Sequence, residues 1–132
     1  MSMINRPLMI LIAGPYRSGT GDEAEKMSAN LHALERYALP LYRAGHLPMI
    51  GEWVALPIIR AAGSVSVGDA VYQEYLYPVA SRLLERCDAV LRIPGESKGA
   101  DQDVAIAKQR GLPVFYKLEE VPTVADVGGA SA

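Results

Sequence analysis

Ala89-Val-Leu-Arg-Ile-Pro-Gly-Glu-Ser-Lys-Gly-Ala-Asp-Gln-Asp-Val-Ala-Ile-Ala-Lys-Gln-Arg-Gly-Leu-Pro-Val114 reads as strand, loop, helix and strand in succession. The apolar run that ends at Ile93 stops at Pro94-Gly95, a turn pair. A polar loop with Ser97 and Lys98 follows. A helix then opens near Gly99, with Asp101 and Asp103 in its first turn. Ala100, Val104 and Ala107 recur at helical spacing and give a slim face that can lie close to a sheet. Gly111 ends that helix, and Leu112 to Tyr116 is the next strand. Strand end, loop and helix N-terminus form an anion-binding corner, because free backbone N–H groups and the positive end of the helix dipole face the loop. Asp103 either acts on what that corner holds or only caps the helix, a placement worth about 0.3–1 kcal/mol.

Upstream the same grammar repeats. Leu8 to Ala13 is a continuous apolar run without alternation, as in a parallel strand covered on both faces. It ends in Gly14-Pro-Tyr-Arg-Ser-Gly-Thr-Gly21, a loop rich in glycine and hydroxyls. Ligands bind at this edge of open α/β sheets. Glycine lets backbone approach a ligand, and Arg17, Ser18 and Thr20 offer donors to a phosphate or sugar; the plain alternative is a β–α connection with turn residues and an N-cap. No Gly-Lys-Ser/Thr follows at P-loop spacing. Asp22 to Ala44 reads as a helix on the spacing of Met27, Leu31, Leu34, Ala38 and Leu41, with Pro40 bending it or starting a separate last turn. His46 to Ile50 is a strand, His46 being read as solvated or facing the helix dipole. Glu52 to Ala62 is a short helix broken by Pro57, and Gly63 to Gly68 a flexible joint. Asp69 to Arg86 is a helix kinked at Pro78 and crowded by Tyr72, Tyr75 and Tyr77, which suit packing or a subunit interface. Cys87 to Ile93 is the third strand. The order β-α-β-α-α-β-α-β predicts a single-domain, doubly wound, flavodoxin- or Rossmann-like parallel sheet of four to five strands with helices on both faces. Residues 1–122 form the domain, and Thr123 to Ala132, small and poor in large apolar groups, reads as a disordered tail.

The 132 residues suffice for one core. A net charge of −2 and a pI near 5.7 argue against a nucleic-acid partner, which calls for a basic patch. Cys87, the only cysteine, leaves no internal disulfide and suits a reducing compartment. Leu8 to Ala13 after Arg6 faintly imitates a signal peptide, but no apolar run approaches the roughly 20 residues that span a membrane. The expected location is cytoplasmic, without membrane partners. No His/Cys/carboxylate cluster has metal-ligand spacing, so neither metal nor cofactor is expected.

Ile12-Ala-Gly-Pro-Tyr16, Ala44-Gly-His46, Cys87-Asp-Ala-Val90, Ser97-Lys-Gly-Ala100 through Asp103, and Gly111-Leu-Pro-Val114 together resemble the nucleoside 2-deoxyribosyltransferase superfamily, which includes the 2′-deoxynucleoside 5′-phosphate N-hydrolases. The resemblance runs from about residue 8 to residue 116. It implies N-glycosidic chemistry: a carboxylate after the Ser-x-Gly loop attacks the anomeric carbon of a deoxyribose, the base departs, and water or a second base resolves the glycosyl-enzyme. Two carboxylates acting on a sugar parallel retaining glycoside hydrolysis. By this resemblance Asp103 stands at the nucleophile's position and Tyr16 orients it. Gly14, Arg17, Ser18, Ser97, Gly99 and Ala100 bind the sugar or its phosphate. The partner is a nucleoside, nucleotide or phosphosugar, and the protein a homodimer or larger homo-oligomer.

The chain departs from the family pattern twice. The nucleophile position holds aspartate where the family has glutamate, and a displacement of about 1 Å can cost on the order of 100-fold in rate. Eight residues before Asp88, where the family has a second acid, stands Ala80. Asp69 and Glu74, on the same predicted helix, are the substitutes a kink at Pro78 could re-aim. The competing expectation is a non-catalytic nucleotide or phosphosugar binder with a degraded acid pair, and a third is an assembly protein whose pocket is unused.

Overall fold

The computed structural model describes residues 3–125. Four parallel strands form the central sheet: β2 (Met9–Ala13), β3 (Leu47–Met49), β4 (Ala89–Arg92) and β5 (Val114–Phe115), in the order β3-β2-β4-β5. Ile10 pairs with Pro48 on one side and Ala89 on the other. The helices are α1 (Ala24–Glu35), α2 (Ala38–Arg43), α3 (Gly51–Ala61), α4 (Ala70–Leu84) and α5 (Lys98–Gln109). This is the doubly wound α/β architecture.

Strand alternation divides the core into two layers. Ile10 and Ile12 of β2 with Ala89 and Leu91 of β4 face Leu34 of α1 and Leu41 of α2. Leu11, Ala13 and Val90 face the other way, onto Leu84 of α4 and Ala100 and Ala107 of α5. Both faces are buried, which explains the unbroken apolar run in β2. Alanines on α5 let it approach the sheet closely. A third cluster, Ala55, Ile59 and Tyr72, joins α3 to α4. From β2 the chain crosses to β3 on one side, and β4 lies on the other. The strand order therefore reverses at the C-terminal ends of β2 and β4, where such sheets open a crevice.

Several local expectations change. The first long helix divides at Arg36-Tyr37, ahead of Pro40, which sits in the first turn of α2 where no N–H is needed. α3 and α4 run unbroken through Pro57 and Pro78. Both prolines are exposed, so water can reach the carbonyls they release. His46 is buried, with 3% of its surface exposed. Its Nδ1 accepts from the Leu8 N–H at 3.1 Å, leaving Nε2 to donate to the Pro122 carbonyl at 2.6 Å. The helix-end glycine before it turns the ring inward, joining β2 to the C-terminal segment. The predicted tail also begins differently: β6 (Thr123–Val124) pairs in parallel with β1 (Met3–Ile4). Val121 and Val124 are buried, and the Val124 N–H donates to the Ala44 carbonyl at 2.8 Å. Two valines thus anchor a stretch whose composition looks loose; the rest of that predicted tail, 126–132, lies outside the described residues. No described helix is long and apolar enough to cross a membrane.

Candidate active site

A cavity of about 720 Å³ opens above the C-terminal ends of β2 and β4. Its walls are the loop after β2, the first turns of α3 and α5, and the middle of α4.

On the α5 side, Ser97 is the N-cap: its Oγ accepts from the Ala100 N–H at 3.1 Å. The Asp101 N–H donates to the Ser97 carbonyl, so Lys98 and Gly99 keep the free N–H groups of this turn. Asp101 points outward and pairs with Arg92 at 3.0 Å. Asp103, two positions on and so on the opposite side of the helix, faces the cavity. Arg92 is fastened to the Ile93 and Gly95 carbonyls as well as Asp101, and it does not pair with Asp103. Among the described residues no hydrogen bond or ion pair holds the Asp103 carboxyl. Burial pushes it up to about 7, with the Glu52 charge adding to the rise and Arg92 opposing it. Burial disfavours the carboxylate, and no close cation restores it.

The loop after β2 is held from several sides. Gly14 is where backbone, strand and helix meet: a Cβ there would strike Ile93 and come within 2.9 Å of the Leu34 Cδ2. Asn30 of α1 donates to the Tyr16 carbonyl at 2.8 Å. The Thr20 hydroxyl donates to the Arg17 carbonyl and accepts from the Asp22 N–H. Arg17 meets Asp22 through two bonds, Nε to Oδ1 at 2.7 Å and a terminal nitrogen to Oδ2 at 3.1 Å. Its guanidinium also lies 5.7 Å from the centre of the Tyr72 ring, a cation–π distance. Gly68, at φ +81°, passes so close to Arg17 that any side chain would collide with the guanidinium. Burial raises the Tyr16 hydroxyl, and the Glu52 charge adds to it. Burial first, then Tyr16 and Glu52, push Tyr72 up to about 12. Both phenols are therefore proton donors at neutral pH.

The third wall is the start of α3. β3 gives way to an extended Ile50 (φ −123°), and the helix begins at once with Gly51 and Glu52. The Trp53 Nε1 donates to Glu35 Oε2 at 2.8 Å, tying this turn to the end of α1. Glu52 reaches the cavity and accepts only from its own backbone N–H. Burial raises its pKa.

Gly14, Tyr16, Arg17, Ser18, Ser97, Gly99, Ala100 and Asp103 all line this one cavity. Within it the Ala100 N–H is already taken by the Ser97 cap, and Arg17 is neutralised by Asp22. Thr20 is 2% exposed and organises the loop from behind; its hydroxyl bonds are spent there. Asp69 is not a second acid. It caps α4, accepting from the Tyr72, Val65 and Ser66 N–H groups and the Ser64 hydroxyl, and these bonds hold its carboxyl down at about 2. Glu74 is exposed and away from the cavity. Ala80 does face the cavity, also bordering a smaller one of about 260 Å³ beside Asp103, and brings only a methyl. Tyr72 belongs to the site and not to a subunit surface, since it is 3% exposed under Arg17.

Sequence reading missed Glu52, Asn30 and the inward turn of Tyr72. Glu52 carried a signal: it follows a strand at the same sheet edge as the other two loops, which is where such folds gather ligand groups. Asn30 lay within a helix with nothing to distinguish it. Among the described residues no cluster of His, Cys, Asp or Glu can hold a metal ion. Compared with known proteins, the chain matches no protein-family model and no curated protein.

Proposed function

We propose that this cavity binds a deoxyribonucleoside or its 5′-phosphate and that Asp103 cleaves the bond between sugar and base. The observation that carries this reading is the state of Asp103. It is a half-buried carboxyl with no hydrogen-bond or ion-pair partner among the described residues, lining the cavity from the second turn of α5. A structural carboxylate in such a place is normally bonded, because burial without partners is costly. A group left unbonded, with its pKa moved close to neutrality, is suited to attack and departure at an electrophilic carbon. Tyr16, a neutral phenol on the loop lining the same cavity, would donate to the sugar or to Asp103. The free N–H groups of Lys98 and Gly99 and the Ser97 hydroxyl proton can receive a 5′-substituent. The resemblance of the loop and helix to deoxyribosyltransferases supports the same chemistry, with water or a second base as acceptor.

The methyl of Ala80 facing Asp103 favours a second reading, a nucleotide or phosphosugar binder that cleaves nothing. Chromatography of free base after incubation with deoxynucleosides and their 5′-monophosphates separates the two. Base release that is lost in Asp103→Ala supports cleavage. No release with a rise in melting temperature on adding nucleotide supports binding alone. The absence of both effects would rule the pocket out for this substrate class.

A further inference from the structure

Ala80 leaves the predicted acid pair one member short, yet the cavity holds two carboxyls. Glu52 enters from the start of α3 and Asp103 from the start of α5. Neither has a cationic partner or a side-chain hydrogen bond. Glu52 stands on a turn fixed by the Trp53–Glu35 bond, so its backbone does not depend on a ligand for its place. We infer that Glu52 is the second catalytic carboxyl, supplying the proton to the departing base and then activating the water, in place of the acid absent at Ala80. This rests on the reading of Asp103 as nucleophile.

The steps balance. An oxygen of the Asp103 carboxylate bonds to the anomeric carbon while the carbon–nitrogen bond breaks. The electron pair of that bond goes to the base, which takes the proton of the Glu52 carboxyl. Water then attacks the anomeric carbon and passes a proton to the Glu52 carboxylate, and the ester's electron pair returns to Asp103. The sum is nucleoside plus water giving sugar plus base, with both carboxyls restored.

The surroundings suit a pair that works with one shared proton. Glu52 acts on Tyr16 of the loop and Tyr72 of α4, Asp103 acts on Cys87 before β4, and Arg92 on β4 opposes the rise at Asp103. Arg60, on Glu52's own helix, acts on Tyr16. The Glu52 charge disfavours ionisation of Asp103, so two charges in this cavity are avoided by keeping a proton between the two carboxyls.

The test is the pH dependence of kcat/KM for base release by the wild type, Glu52→Gln and Asp103→Asn, each checked for an unchanged far-ultraviolet spectrum. Wild type should fall off on the alkaline side, where Glu52 loses the proton it gives to the base. Glu52→Gln should be slower by on the order of 10²–10⁴-fold and should lose that alkaline fall, keeping a single rise at lower pH from Asp103. Should Glu52→Gln not fold, Glu52→Asp must keep the fall while slowing the reaction. A Glu52→Gln enzyme with wild-type rate, or one slowed with its alkaline fall intact, overturns the role of Glu52 and leaves Asp103 standing. Base release unaffected by Asp103→Asn, or no release by the wild type, overturns the underlying reading and the inference with it.

Discussion

Of the two charges that act on the Asp103 carboxyl, the Glu52 carboxylate is the stronger and the Arg92 guanidinium the weaker, with opposite sign. Two helices that begin on either side of β2 therefore aim like charges into one cavity. Nothing in the fold requires this. Arg92 could reach a carboxylate on α5, and does so at Asp101, while Asp103 is left to the cavity.

This arrangement has a stability consequence with a definite sign. The Asp103 carboxyl ionises near 3.8 in an unfolded chain and at about 7 in the folded one. Between those values the folded state holds the extra proton, so stability falls as pH rises across that window. Asp103→Asn, which cannot ionise, should melt higher than wild type at pH 8 and alike at pH 4. The shift sets a ceiling on the order of 4 kcal/mol for the gain. Equal melting temperatures at both pH values would mean that the carboxyl is not desolvated.

Arg17 lines the cavity, as Lys98 does, but Asp22 holds it through two bonds with both side chains about two-fifths exposed (39% and 43%). A phosphate entering here competes with Asp22. Asp22→Asn removes the charge and tolerates the left-handed backbone at this position, φ +62°. It should tighten 5′-monophosphate binding by a few-fold and leave the unphosphorylated nucleoside unaffected, as read by calorimetry at low salt. A parallel change for both ligands would place the phosphate elsewhere.

Gly14 makes the loop and the core one object. Gly14→Ala forces a methyl against Ile93 and the Leu34 side chain. Overpacking of this kind costs about 1–3 kcal/mol, measurable by urea denaturation. Because the displaced residues carry Tyr16 and the strand end before Ser97, ligand affinity should fall with stability. Unchanged stability would show that the strand end has room to yield.

His46 tests the opposite edge. His46→Ala leaves the Leu8 N–H and the Pro122 carbonyl without their partner, a loss of about 2–3 kcal/mol. Nucleotide binding by the folded fraction should be unchanged, since β3 begins at the far end of the sheet from the cavity. Weakened binding in fully folded protein would indicate coupling along β2.

The sheet was readable because each strand is an apolar run closed by glycine or proline, and because parallel strands covered on both faces need no alternation. The cavity was readable for a related reason: Gly14 to Ser18 and Ser97 to Asp103 sit where the topology must open. What escaped depends on contacts distant in sequence. Glu52 is brought to Asp103 by the crossover from β3 to β4, and no local pattern encodes that meeting. His46 looked solvated because its partners, Leu8 and Pro122, are remote in the chain. Thr123–Val124 pairs with a two-residue strand at the other end, too short for any periodicity to mark.

The most direct test of the account is to trap the sugar on the protein. A 2-deoxy-2-fluoro nucleoside, whose fluorine withdraws electron density from the anomeric carbon, slows both formation and breakdown of a glycosyl-enzyme. Mass spectrometry of the digested protein should then find the sugar as an ester on the peptide that contains Asp103, and Asp103→Asn should carry none. Base release from ordinary deoxynucleosides with the sugar trapped on another residue, or with equal turnover by Asp103→Asn, would contradict the account.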